Sequence, residues 1–314
     1  AFEEIIGTDY VVSGDDMEAF TVDWTGTYKG GSLVCLPKTT KEISEIMKYC
    51  SMNNIGVVPQ GGNTGLVGGA VGTSKGELVV CMRRMNSILD IDNAAGVLTC
   101  EAGCVLEWLN GEVAKHGFVV PLDLAAKGSC MIGGNVATNA GGLRVMKYGS
   151  LQGNVLGLEV VLADGTVLDM LRSLRKDNSG LHSKHLFIGS EGALGIITKV
   201  SLLLVTKPTF TCVVFAKLAS FSQVQALLNT ARSKLGDTLT AFEFMDRNAI
   251  DAVRRASPTL LSRYHQPEFS GEVSVLLECT GTNVELDQQR VDAFAEAVLE
   301  SGVVVDAAIS QNSD

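Results

Sequence analysis

Apolar positions along this chain recur at two spacings, one helical and one alternating, and the switches between them predict its elements. Thr39-Thr40-Lys41-Glu42 has the Thr-x-x-Glu form of a capping box, and Ile43, Ile46, Met47 and Cys50 follow at helical spacing. A helix therefore starts there and ends before Asn53-Asn54. Val57-Val58 reads as a short strand, with further strands over 77–82 and 97–101 and a helix over 105–116 closed by Gly117. This alternation is α/β. Strands over 155–163 and 166–170 flank Asp164-Gly165, a strong hairpin signal, so the sheet there includes antiparallel pairs. The β-branched run 194–205, preceded by Gly189-Ser190-Glu191-Gly192, reads as a central strand, and Lys207-Pro208 marks a boundary. Beyond it come a strand over 212–218, a helix over 221–235 closed by Gly236, strands over 240–245 and 273–279, a helix over 284–301 and a strand over 303–307. Two βαβ-like units in succession predict a ferredoxin-type α+β layer.

Composition narrows the function classes. The chain has 314 residues, 46% hydrophobic and 19% charged, an ordinary globular balance with enough apolar material for a sizeable core. Its apolar stretches, such as 200–205 and 303–305, fall far short of the roughly 20 residues that span a bilayer. A formal charge of −10 without a Lys/Arg cluster argues against nucleic-acid partners and against charge-driven membrane binding. Eight scattered cysteines, without a CxxC or a secretory leader, read as reduced, buried thiols in an intracellular compartment. Cys100 with Cys104 lacks a zinc-finger spacing, and His182 with His185 imitates a metal pair but reads better as surface decoration.

Candidate chemistry sits in two segments free of charge: PQGGNTGLVGG over 59–69 and GSCMIGGNVATNAGG over 128–142. They hold ten of the chain's 34 glycines in 26 residues. Neither contains GxGxxG or GxxxxGK[ST], so Rossmann and P-loop readings fail. Glycine lets backbone N–H groups turn inward and a ligand approach the main chain, so phosphate can be cradled without a cation. In the first segment Asn63 and Thr64 are candidate side-chain donors and Pro59 holds the entry; a glycine-rich turn is the competing reading. In the second, Ser129, Asn135, Thr138 and Asn139 sit among five glycines, with Pro121 and Asp123 upstream. Lys127, Arg144 and Lys147 flank it, either complementing phosphate from outside or simply solvated. The pair suggests a nucleotide cofactor gripped from two sides. Glu243 and Asp246 could face a pocket mouth, though a strand end and a helix N-cap describe them as well.

The runs PQGGNTG, KGSCMIGGNVATNAGG, MKYGSLQGNVLGLEVVLADG, LRKDNSG and IGSEGALGIIT occur in this order. In that they resemble the FAD-binding oxidoreductases of the vanillyl-alcohol oxidase type, with a PCMH-type FAD domain, and most of all the branch of D-2-hydroxyglutarate and D-lactate dehydrogenases. The resemblance implies an α+β chain. A two-lobed FAD-binding domain would span 1–207, an α/β lobe over about 1–90 and a mixed-sheet lobe over 91–207, followed by a partial ferredoxin-like substrate cap over 208–314. Gly61, Gly62, Asn63, Thr64 and Gly65 would hold the FAD pyrophosphate. Gly128, Ser129, Gly133, Gly134, Asn135, Thr138, Asn139 and Gly142 would line the flavin and ribityl side, and Gly195 and Ile196 would meet the adenine end; Pro59 at the entry and Pro121 upstream complete the expected cofactor-binding set. Glu191 would order the turn before that strand. Asn63 stands where some relatives carry a histidine that bonds FAD, so the cofactor is expected to be noncovalent.

The implied activity is oxidation of a D-2-hydroxy acid to the 2-oxo acid by hydride transfer to flavin, with a separate electron acceptor. The family's basic substrate clamp and its His-x-Gly-Asp-Gly-Asn-x-His metal motif have no counterpart in these residues. His116, His182, His185 and His265 therefore receive no catalytic role, and a divalent metal such as zinc is expected only in a C-terminal part not present here. On this reading the chain is a fragment or a degenerate copy. The alternative is a catalytically inactive binding protein of the same fold, with actin as a partner. A cell-wall precursor reductase is disfavoured by the match over 127–157. Relatives are often mitochondrial, no leader is seen, and a homodimer remains open.

Overall fold

A computed structural model describes residues 1–73, 76–258 and 273–310. They form two compact units: Ala1–Gly142 with Ser150–Thr206, and Leu143–Gly149 with Lys207–Asp314.

In the first unit, β1 (Val11–Val12), β2 (Leu33–Cys35), β3 (Val57–Gln60) and β4 (Leu78–Cys81) form a sheet in the order β1-β2-β4-β3. β4 runs parallel to both β2 and β3 and is buried at all four residues, as expected of a parallel strand covered on both faces. The crossover from β2 to β3 is the helix Thr40–Met52, whose Ile43, Ile46, Met47 and Cys50 are buried. Thr39 caps it by accepting the Glu42 N–H at 3.2 Å. Glu42 reaches back to the N–H of Lys38 (2.6 Å), one residue beyond the N-cap that a strict capping box would satisfy.

The unit's second sheet contains β5 (Ile88–Asp92), β6 (Val97–Glu101), β8 (Val155–Val161), β9 (Val167–Met170) and β10 (Ile196–Leu203), in the order β5-β6-β10-β8-β9. β10 is its central strand. Every pair is antiparallel, where a mixed sheet was expected; the parallel pairs belong to the other sheet. The run 194–205 is also not one strand. Leu204 donates its N–H to Gly96 (2.8 Å) and buries its side chain, after which β11 (Val205–Thr206) pairs with β7 (Phe118–Val119). At the β8–β9 hairpin only Gly165 takes a positive φ (82°), so the turn is not the type I′ form, which needs both central residues there. Glu159 of β8 joins the two layers, accepting from Thr40 Oγ1 (2.5 Å), Thr198 Oγ1 (2.8 Å) and Lys199 Nζ (3.0 Å).

In the second unit, β12 (Phe210–Leu218), β13 (Leu239–Asp246), β14 (Val273–Gly281) and β15 (Asp306–Ser310) form an antiparallel sheet in the order β13-β14-β12-β15. The helices Phe221–Leu235 and Val284–Ser301 bury Val224, Leu227, Ala231, Val291, Phe294 and Val298. This is the strand order of a ferredoxin-like βαββαβ layer. The last strand lies at Asp306–Ser310 and not at 303–307. Gly302 ends the helix in a left-handed conformation, and Val303 and Val304 pack against the core. Pairing with β12 then starts at Asp306 opposite Lys217. All eight cysteines are free and buried. No helix among the described residues is long and apolar enough to cross a membrane.

Candidate functional site

The first glycine segment leaves the end of β3, where Gln60 (2% exposed) closes the base of the loop by donating Nε2 to the carbonyls of Phe20 and Ala70, both at 2.8 Å. Asn63 takes a left-handed φ of 52°, which asparagine tolerates better than most residues. Its Nδ2 donates to the carbonyl of Val22 at 2.7 Å. That bond uses one of the two Nδ2 hydrogens, and Oδ1 remains as an acceptor without a partner among the described residues.

The second segment winds into the short helix Ile132–Ala137, which the glycine content concealed from a propensity reading. Gly133 donates to the carbonyl of Ala102 at 2.8 Å, and a β-carbon on it would come within 2.5 Å of the Ala102 side chain. A third wall comes from the turn before β10. Glu191 (φ 51°) donates its N–H to the carbonyl of Ala137 at 2.8 Å, and Gly192 (φ 82°) lies against the ring of Pro59.

Together these walls enclose a cavity of about 400 Å³, within the range of small-molecule and cofactor sites. Residues 59–65 line it, with Gly133, Gly134, Asn135 and Thr138 of the second segment and Gly195 and Ile196 of the third wall. Pro121, Gly128, Ser129, Asn139 and Gly142 do not. Asn139 directs Oδ1 at Ser150 Oγ (3.1 Å) and the N–H of Gln152 (3.0 Å). Gly142 is required because the carbonyl oxygen of Asp123 fills the space of any side chain, and the carbonyl of Ser129 does the same at Gly62. Gly128 is exposed beside the Glu107 carboxylate, and Pro121 is buried elsewhere. The sequence reading missed Leu124, Ala126, Met131 and Ile197 in the wall. These are apolar residues whose only signal was adjacency to the glycines.

Among the described residues the cavity wall contains no lysine, arginine or histidine, and Glu191 is its one carboxylate. The flanking cations are engaged elsewhere: Lys127 pairs with Asp123 at 3.5 Å, Arg144 meets Glu278 at 3.3 Å, and Lys147 donates to the carbonyl and Oγ1 of Thr280 at 2.7 and 2.9 Å. Arg144 and Lys147 are thereby tied to β14 within the second unit. An anion in the cavity would be met by backbone. No carbonyl among the described residues accepts from the N–H groups of Gly62, Asn63, Thr64 or Gly65. A β-carbon on Gly65 would meet nothing within 4 Å, so the main chain there is bare. Two acceptors complement that nest: Oδ1 of Asn63 and Oδ1 of Asn135 are buried without a partner. Leaving such an atom unpaired costs about 1–3 kcal/mol, a deficit that a ligand's N–H or O–H would remove. A nest for phosphate beside acceptors for hydroxyl and amide donors fits a dinucleotide such as FAD.

None of the remaining described candidates lines this cavity. The rings of His182 and His185 are 6.2 Å apart edge to face, and no metal-holding group of three or more His, Cys, Asp or Glu occurs among the described residues. His265 lies outside the described residues. Asp246 caps the helix Arg247–Ala256 through the N–H of Ala249 at 2.8 Å, and Glu243 is exposed on β13.

Comparison with known proteins supplies the family. An FAD binding domain model matches residues 31–171, and a model of the C-terminal domain of FAD linked oxidases matches 207–314. This chain belongs to the FAD-linked oxidases. This FAD-linked oxidase is 49% identical over 314 residues to the mitochondrial D-2-hydroxyglutarate dehydrogenase of Arabidopsis thaliana, covering 99% of the chain and 55% of that protein. To the enzyme of the same name from Bos taurus it is 47% identical over 313 residues, covering 99% and 56%. The chain thus spans a little over half the length of the curated relatives it matches. Among solved structures, an alkyldihydroxyacetonephosphate synthase superposes with a TM-score of 0.79 at 20% identity, covering 98% of this chain and 59% of that one, which shows the shared fold.

Proposed function

We propose that this FAD-linked oxidase binds FAD noncovalently in the glycine-walled cavity and serves the oxidation of a D-2-hydroxy acid, D-2-hydroxyglutarate or D-lactate, to the 2-oxo acid. The observation that carries the cofactor half is the wall itself, in which, among the described residues, the N–H groups from Gly62 to Gly65 meet no carbonyl, no cation is present, and two carboxamide oxygens have no partner. The substrate class is supported by the names of the relatives at 47–49% identity, which are also named mitochondrial. We place this protein in the mitochondrion on that ground.

When bound, FAD supplies the hydride acceptor, and the protein's share is position and electrostatics. Residues 61–65 would hold the pyrophosphate through backbone N–H groups, and the bare main chain at Gly65 would allow close approach. Gly133 and Gly134 would lie along the flavin and ribityl side, and Gly195 and Ile196 toward the adenine. Apolar Met131, Leu124 and Ile197 would exclude water from the reacting face. Noncovalent attachment is supported by Asn63 and by the lack of histidine in both glycine segments of the sequence. We read 1–207 as the FAD-binding domain and 208–314 as the substrate cap. No base or substrate clamp is assigned within these residues, and an electron acceptor completes the cycle.

Loading the purified chain with FAD, gel filtration and acid precipitation test the cofactor half. Flavin should co-elute with protein and then pass entirely into the acid supernatant. A folded chain that retains no flavin, or flavin that stays in the pellet, overturns it. Bleaching of the flavin absorbance of the longest natural gene product by D-2-hydroxyglutarate or D-lactate tests the substrate half.

A further inference from the structure

Behind the first glycine segment lies a small hairpin over 21–30. The N–H of Gly30 donates to the carbonyl of Thr21 (2.8 Å) and that of Asp23 to the carbonyl of Tyr28 (3.0 Å), with Val22 opposite Lys29. This hairpin holds the loop that follows β3 at both ends. At the near end, the carbonyl of Phe20, just before the hairpin, and that of Val22 accept from Gln60 and Asn63. At the far end, the carbonyl of Gly30 accepts the N–H of Gly72 (3.1 Å), and the ring of Tyr28 fills the space of any side chain on Gly68. One carboxylate closes the hairpin tip. Asp23 is 4% exposed and accepts from the N–H and Oγ1 of Thr25 (3.2 and 2.6 Å) and from the N–H of Tyr28 (2.8 Å).

Val22 precedes that carboxylate in the chain, and its carbonyl is the partner of Asn63 Nδ2 at 2.7 Å. Asn63 has a positive φ, whereas Gly62 and Thr64 beside it do not. Such a change of sign turns successive N–H groups to one side, and a residue with a β-carbon keeps it only at a cost in free energy. The bond to Val22 offsets that cost. We infer that Asp23 is a positioning residue: by closing the hairpin whose Val22 carbonyl holds Asn63, it keeps Asn63 left-handed and the N–H groups of 62–65 turned toward a bound phosphate. The inference rests on the FAD reading above. Asp23 does not line the cavity, so its effect on the cofactor runs through Asn63.

The test is FAD affinity, read by quenching of flavin fluorescence, with apo melting temperatures measured separately. Asp23→Ala opens the hairpin tip and should weaken FAD about fivefold; Asp23→Asn, which keeps an oxygen for the Tyr28 N–H, should weaken it about threefold. Asn63→Ala loses the hold but leaves a β-carbon in the left-handed region, and should weaken FAD about tenfold. Asn63→Gly adopts the same φ without being held and should stay within about twofold of wild type. The deciding variant is Asp23→Ala/Asn63→Gly, which should bind FAD as well as Asn63→Gly alone, because glycine needs no hold. A loss from Asp23→Ala as large in the glycine background as in wild type, or Asn63→Gly as weak as Asn63→Ala, overturns the positioning role. The same cycle run with Asp23→Asn decides the matter if the alanine variant does not fold. Wild type that binds FAD with the Asp23 variants unchanged overturns this inference alone; wild type that binds no FAD overturns the FAD reading and this inference with it.

Discussion

The space that a side chain on Gly62 would need is occupied by the carbonyl oxygen of Ser129, so the two glycine segments meet backbone to backbone. Gly62→Ala should force them apart and lower stability by about 1–3 kcal/mol, the usual cost of overpacking. Gly65→Ala, whose β-carbon enters open space at a negative φ, should leave the apo melting temperature nearly unchanged and weaken FAD. Paired thermal melts with and without FAD check both. Equal destabilisation of the two apo variants would contradict the geometry.

Glu159 is the second joint. It is 8% exposed and accepts from Thr40, Thr198 and Lys199 at once. Glu159→Ala strands Thr40 Oγ1 and the charged Lys199 Nζ, while Thr198 Oγ1 keeps the carbonyl of residue 159 at 3.1 Å, and should cost on the order of 2–3 kcal/mol in urea unfolding. Glu159→Gln keeps an acceptor and should lose less.

In the second unit Asn283 caps the helix Val284–Ser301 by accepting the N–H of Leu286 at 3.1 Å. Asn283→Ala should cost about 1 kcal/mol, and Asn283→Asp, which caps equally well, almost nothing. The urea midpoint of the transition reports it.

Burial pushes the thiols of Cys35 and Cys279 up to about 12 from an ordinary value of 9.0. Above pH 9 the unfolded chain gives up protons that the native chain keeps. The contribution of these thiols is therefore full below pH 9 and is lost as pH rises toward 12. Stability should be flat up to pH 8 and fall by roughly 1 kcal/mol per thiol by pH 10. Thiol-alkylating reagents at pH 8 should leave native Cys35 and Cys279 unmodified. Rapid native labelling of either would show that the burial is wrong.

Local pattern was a good guide wherever local physics decides. The helices Thr40–Met52, Phe221–Leu235 and Val284–Ser301 carry their apolar stripe within a few residues, and the first and third their side-chain caps as well, so spacing alone located them. The strand Asp306–Ser310 was misplaced because its start depends on where β12 offers a partner, a non-local condition. The break at Leu204 depended likewise on Gly96 more than a hundred residues earlier.

For the site, the chain alone pointed to two uncharged glycine segments as a backbone cradle for a phosphate-bearing cofactor, because glycine lets N–H groups turn inward without a cation. Only the tertiary structure decided which of the polar residues among them face the cavity. Asn135 points its amide into the wall while Asn139 spends its oxygen on Ser150 and Gln152, and Arg144 and Lys147 turn to β14. Side chains this close in sequence differ in fate because each must satisfy its hydrogen bonds against whatever the fold brings near, and that neighbour is not written in the local residues.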